Sequence, residues 1–236
     1  MRSAARAASL PACHQAQPRT GTVGCPAVRA FRAVLAVPVA LFGLLALHAA
    51  PAAKTSYTFG APRSSVEITV YKEGLFSAFG HNHLIATKDF SGAVQFDPGE
   101  IESSSVTLRV VAKSLTAIDP GESAGDRQQV QATMLGEQVL DTARYPEISF
   151  HSTSATHVQR QGSGWRVTLA GVLQLHGTQK PVTFPLSVRL ANGELIAEGE
   201  VFLLQSNYGI TPIKVAGGAV KVKDRLRIRF EIHAHP

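Results

Sequence analysis

The strongest constraint in this chain is an alternation of apolar and polar residues with a period of two. Near the C-terminus Leu226, Ile228, Phe230 and Ile232 interleave with Arg225, Arg227, Arg229 and Glu231. Val182, Phe184, Leu186, Val188 and Leu190 form the longest such series, and Val106, Leu108, Val110 and Val66, Ile68, Val70 repeat it upstream. Successive side chains of a strand point to opposite faces, so strict alternation buries one face and wets the other. That is the habit of antiparallel sheets, not of parallel ones, which are covered on both sides.

Turn residues punctuate the runs: Asp97-Pro98-Gly99, Gln161-Gly162-Ser163-Gly164, Gly217-Gly218 and, between two strand patterns, the hairpin pair Asn192-Gly193. The spacing predicts eight or so strands, near 56–60, 65–72, 90–96, 104–113, 146–158, 165–176, 181–190 with 194–204, and 219–233. One stretch differs. Asp126–Leu140 lacks the alternation and is rich in Gln, Met, Leu and Glu, with Asp126 placed to cap a helix and Tyr145-Pro146 to end it. Its apolar residues make no tidy stripe, and Gly136 weakens the middle, so a short, broken helix over the end of a sheet is expected. Many half-wet strands and one helix fit a sandwich or a barrel, and patterning alone does not separate them. A closed barrel of about eight strands has an interior that fills with side chains or holds one small ligand.

Charge first points to an acidic partner, since the formal net charge is +6. Its location removes that reading. Of 23 basic residues five arginines fall in residues 1–53, which hold no acid, leaving 18 against 17 acids and a net +1. Arg29 and Arg32 precede the apolar run Ala33–Leu47, followed by Ala49-Ala50-Pro51-Ala52-Ala53. A basic region, an apolar core and small residues at a cleavage point are the pattern of an export signal. Residues 1–53 are therefore read as a leader and 54–236 as one domain. Pro38 and the short run argue against a membrane span. Both cysteines, Cys13 and Cys25, lie in the leader, so the domain has no disulfide and no thiol chemistry.

Gly80-His81-Asn82-His83 is the segment most suited to chemistry. Two histidines one residue apart on a strand share a face and suit a metal, provided His151, His176, His233 or His235 supplies a third ligand. Otherwise they are hydrogen-bonding histidines near a strand end. No Gly-x-Ser-x-Gly elbow, paired catalytic carboxylates, phosphate loop or dinucleotide fingerprint occurs in the sequence, which points to binding over turnover. The basic run from Lys221 to Arg229 reads as a solvated strand face, with transient contact to a membrane surface as the alternative; near-neutral charge argues against nucleic acid.

The order of several segments resembles the YceI-like family of exported lipid-binding proteins. The matching pieces are Phe79-Gly80-His81-Asn82-His83-Leu84, Phe90-Ser91-Gly92 and Asp126-Arg127. Then come Tyr145-Pro146-Glu147-Ile148-Ser149-Phe150-His151-Ser152, the run from Gly171 to Phe184, and Ser206-Asn207-Tyr208-Gly209-Ile210. Together they span roughly Tyr57 to Ala234. The resemblance implies an all-β, antiparallel, extended lipocalin-like barrel with a short helix near its mouth. It further implies an elongated cavity for a polyisoprenoid, such as a quinone tail, or another amphiphilic lipid. No catalytic residue, metal ligand or required cofactor is implied, only a bound isoprenoid quinone or other lipid. The residues assigned to ligand contact are Phe79, His81, His83, Met134, Phe150, Trp165, Phe184 and Tyr208, with His81, His83 or Tyr208 meeting the headgroup. A periplasmic or secreted location follows from the leader, and the oligomeric state is open, a homodimer included. Two other readings stand beside it: an envelope stress or structural protein whose barrel is filled, and a His-dependent metal enzyme. The family's common His-Leu after Arg-Asp is replaced here by Asp126-Arg127-Gln128-Gln129-Val130, so the ligand's identity transfers least.

Overall fold

The computed structural model describes residues 54–73, 82–215 and 220–236. Twelve strands make one antiparallel sheet. They are β1 (Thr55–Gly60), β2 (Ser65–Glu73), β3 (His83–Thr87), β4 (Phe90–Phe96), β5 (Ser105–Val111) and β6 (Leu115–Ala117), then β7 (Glu147–Gln161), β8 (Gly164–Leu175), β9 (Thr178–Ala191), β10 (Glu194–Leu204), β11 (Lys214–Val215) and β12 (Val220–Ala234). A single α-helix, α1 (Ala124–Leu135), lies between β6 and β7.

Eight strands pair in the order β1-β4-β5-β7-β8-β9-β10-β12. The ladder then curls back on itself: Thr58 of β1 and His235, just past β12, exchange two backbone hydrogen bonds of 2.7 and 2.9 Å. The rest of the same β12 edge is taken by β2, from Lys221 to Glu231. From β2 the sheet continues to β3 and ends on the short β6. The expected lipocalin-like antiparallel barrel with one short helix is therefore the observed architecture. The larger strand count arises where the chain bends. The strand expected over 104–113 stops at Val111, turns through one 3-10 turn at Ala112–Ser114, and resumes as β6. The five-residue β3, too short and too close to β4 to stand out as a separate run, was not anticipated.

Hairpin geometry follows the turn chemistry. Asn192 and Gly193 both have positive φ (53° and 80°), the mirror-image two-residue turn that matches strand twist. His176 and Gly177 form the same turn between β8 and β9, with φ of 50° and 70°, although His-Gly is a weaker signal in sequence.

The helix differs from expectation at both ends. Ser123, not Asp126, is its cap: Ser123 Oγ accepts from the Asp126 N–H (3.1 Å) and donates to the Asp126 carboxylate (2.7 Å). The cap hydroxyl thus satisfies the Asp126 N–H, and the Asp126 carboxylate in turn holds that hydroxyl in place. The helix stops at Leu135, ten residues before Tyr145-Pro146, because Gly136 leaves helical geometry with an extended ψ of 177°. The chain then folds back, Leu140 N–H bonding to Met134 C=O and Thr142 N–H to Leu135 C=O. Thus Met134, Val139 and Leu140, scattered in sequence, come to pack on one side against the barrel core.

One side chain fixes the helix to the sheet. Gln131 Nε2 donates to Leu115 C=O (2.7 Å), and its Oε1 accepts from Ala117 N–H (2.8 Å). The amide thereby completes the edge of β6, taking the place of a neighbouring strand. Gln131→Leu leaves both backbone groups without these partners. It should cost about 1–3 kcal/mol in urea unfolding, the penalty of unsatisfied buried polar groups; an unchanged midpoint would show the contact to be dispensable.

The seam carries a second testable element. His233, near the end of β12, faces Glu194 through Nδ1 (3.0 Å) and Glu231 through Nε2 (2.9 Å). His235 Nε2 also approaches Glu194 (3.2 Å), and Arg63 reaches His235 (2.7 Å). Only an imidazolium donates from both ring nitrogens, so the Glu231 and Glu194 hydrogen bonds raise the His233 pKa above its ordinary 6.5, against a smaller opposing effect of burial. The resulting stabilisation is complete below pH 6.5 and is lost as pH rises through the raised value. Unfolding stability should fall with rising pH in that window, and His233→Gln should flatten the fall.

Candidate functional site

Because the sheet curls, inward residues of every strand but β11 converge on one interior space of about 300 Å³. Its wall runs from Ile101, Val188 and Leu195 at one end to Met134, Leu175 and Ile210 at the other. On β8 alone the lining extends from Val167 to Leu175, which is about 26 Å of strand at about 3.3 Å per residue. The space is therefore long for its volume. Among the described residues no charged side chain lines it; the polar members are Thr87, Ser104, Ser105 and Gln205. Gln205 is itself satisfied, donating to the Lys223 carbonyl (2.8 Å). The volume lies at the lower end of the range for small-molecule sites, and the wall has their predominantly apolar character.

A local device keeps the interior open. Gly92, Gly171 and Gly199 stand at inward positions of β4, β8 and β10, and a phenylalanine from the neighbouring strand lies across each. A Cβ at Gly92 would meet the Phe59 ring at 2.0 Å, at Gly171 the Phe150 ring at 2.4 Å, and at Gly199 the Phe230 ring at 2.5 Å. Each ring thus lies against the wall in space that any other residue would fill. Phe184 joins two of them, edge to face with Phe230 (5.7 Å) and tilted against Phe150 (5.9 Å). No sequence period reveals this pairing, since it depends on which glycine stands beside which ring.

Of the eight residues assigned to ligand contact, Met134, Phe150 and Phe184 line this space. Trp165 sits by the β7–β8 turn, its ring edge-on to Phe96 at 5.8 Å and covered by the Arg160 guanidinium at 4.6 Å. Tyr208 is 2% exposed and outside the wall; its hydroxyl has no hydrogen-bond partner among the described residues, and burial raises its pKa above the usual 10.0. Its carbonyl accepts from His176 Nδ1 (3.1 Å), which ties the 205–208 turn to the β8–β9 hairpin. Phe79 and His81 lie outside the described residues.

His83, the first residue of β3, also stands away from the cavity wall. Its Nδ1 lies 3.1 Å from Asp119 Oδ2 and 3.3 Å from Glu122 Oε1. The residues beside it are thus carboxylates from the β6–α1 link. They are distant in sequence, so the spacing of histidines gave no hint of them. The basic run on β12 occupies the outer face, with Glu200 between Arg227 (3.8 Å) and Arg229 (4.0 Å) and Arg225 stacked on Phe202 at 3.9 Å.

Comparisons with known proteins agree with this geometry. Protein YceI of Escherichia coli O157:H7 is 30% identical over 122 residues, which is 51% of this chain and 53% of that protein; Protein YceI of Shigella sonnei gives the same figures. The chain spans about half the length of the curated relatives it matches. Among solved structures, Burkholderia cenocepacia BcnA superposes with a TM-score of 0.58 at 20% identity, covering 72% of this chain and 96% of that one. A polyisoprenoid binding domain from Saccharophagus degradans, implicated in plant cell wall breakdown, gives 0.53 at 13% identity, covering 76% and 97%. At such identities these structures show the shared fold. The description of the YceI-like domain matches residues 57–234, and the chain belongs to that family.

Proposed function

We propose that this protein is an exported binding protein that holds the hydrocarbon part of a polyisoprenoid, or of a similar amphiphilic lipid, inside its barrel. The observation that carries the reading is the long interior space with no charged residue in its described wall. The polyisoprenoid binding domain that shares the fold supports it. Each methylene moved from water into such a space contributes about 0.8 kcal/mol before the cost of ordering the chain. A ligand of many repeating apolar units can then bind tightly with few polar contacts. Met134, Phe150 and Phe184 are the assigned residues placed to touch it. Binding without turnover, with no cofactor needed to hold the lipid, and export to the periplasm or the exterior complete the proposal. A filled barrel, the alternative for a structural protein, does not account for the space kept by the three glycine–phenylalanine pairs.

Two experiments test this. Protein purified from its native host and extracted with organic solvent should release close to one equivalent of a long-chain isoprenoid or similar lipid by mass spectrometry. Protein folded and free of any lipid would overturn the reading. Gly199→Ala places a methyl where the Phe230 ring lies, at 2.5 Å, and turns that ring into the interior. Retained lipid should drop at least about tenfold, as expected for a steric change worth 1.4 kcal/mol or more, and Phe230→Leu in the same background should restore it. Full retention in Gly199→Ala would show that the ligand lies elsewhere.

A further inference from the structure

The geometry points to a second site, separate from the cavity and independent of the lipid reading: a divalent transition-metal site formed by His83, Asp119 and Glu122. The ligand atoms come from two places that the fold brings together, the first residue of β3 and the link between β6 and α1. All three lie within 4.8 Å of one another. The imidazole Nδ1 is 3.1 Å from the Asp119 oxygen and 3.3 Å from the Glu122 oxygen. Two ligands held at about 2.1 Å from one tetrahedral ion stand about 3.4 Å apart, so the two separations from the imidazole fit a coordination shell as well as they fit hydrogen bonds.

Charge and hydrogen bonding give a second, independent reason. The Asp119 side chain is 4% exposed and that of Glu122 13%. Glu122 Oε2 is fully buried without a hydrogen-bond partner among the described residues. One ring N–H cannot satisfy two carboxylates. The nearby guanidinium of Arg127 does not help, because it donates to the main-chain carbonyls of Asp119 and Glu122. A buried carboxylate oxygen without a direct partner is costly, and a doubly charged cation between the two carboxylates removes that cost. The remaining Asp119 oxygen accepts from the Leu84 N–H, the outer-shell contact that holds a ligating carboxylate in place.

The donor set selects the ion. Calcium and magnesium take oxygen ligands, whereas one imidazole with two carboxylates suits zinc or a first-row neighbour. Glu122 immediately precedes Ser123, the cap of α1. A bound ion therefore ties the start of the helix to β3.

The test uses the full chain, stripped with a chelator and titrated with Zn2+ alone by equilibrium dialysis with metal analysis. Wild type should bind one tight equivalent and unfold at a higher temperature with zinc, since a ligand of the native state stabilises it. Glu122→Gln and His83→Gln should each weaken that equivalent at least about tenfold and abolish the zinc-induced rise. Circular dichroism of the metal-free proteins should show both variants as folded as wild type. Glu122→Gln keeps the shape of the side chain and so remains informative if His83→Gln does not fold. Absence of a stoichiometric equivalent overturns the proposal. So does an equivalent that both variants retain, which would place it at Cys13, Cys25 or the His233 group.

Discussion

Everything in this molecule depends on satisfying backbone hydrogen bonds around an apolar interior. A sheet with one wholly apolar face cannot leave its edges open against that face, because an unpaired buried N–H or C=O costs about as much as a lost hydrogen bond. The eight-strand ladder meets this constraint through the exchange between Thr58 and His235. The branch that leaves β12 through β2 and β3 meets it differently, ending on β6, where the Gln131 amide stands in for the missing strand. The seam and the helix are thus two answers to one problem. Both use contacts that join residues far apart in sequence.

Given a closed wall, the interior could have been packed solid. Its inward residues are Val, Ile, Leu and Phe, as in any core, and they are close enough in size to interdigitate. The difference lies in the placement of Gly92, Gly171 and Gly199. Each gives a phenylalanine somewhere to lie other than the centre. Rings turned to the wall leave the axis free, and the free axis is what a flexible hydrocarbon chain needs. The apolar lining suits such a chain, and no charged residue in the described wall is placed to pair with a headgroup.

Much of the fold was legible in the sequence. Alternation located β2, β5, β9, β10 and β12, Asn192-Gly193 located its hairpin, and the family resemblance chose barrel over sandwich. What escaped has physical reasons. β3 and β6 are three to five residues long and owe their state to pairing, β3 with β2 and β6, and β6 with β3, not to local pattern. The helix start was misplaced by three residues because Ser123 and Asp126 both have capping chemistry, and Ser123 takes the role with Asp126 in support. Met134, Phe150 and Phe184 line the cavity, whereas Trp165 is covered by Arg160 and Tyr208, assigned to the headgroup end, is held in the 205–208 turn. Size and polarity do not report which side of a bent strand end a side chain occupies. The neighbours of His83 were hidden for another reason, since Asp119 and Glu122 meet it only through the β3–β6 pairing.

The central claim is that the ligand's hydrocarbon chain runs along the barrel axis. The direct measurement is a set of intermolecular NOEs between a bound long-chain isoprenoid quinone and labelled methyl groups of the protein. Contacts should extend from Met134, beside α1, through Leu169 to Val188 and Ile101 at the far end, all residues of one continuous wall. Contacts confined to Leu190, Leu204 and other exposed side chains, with none to those four, would contradict it.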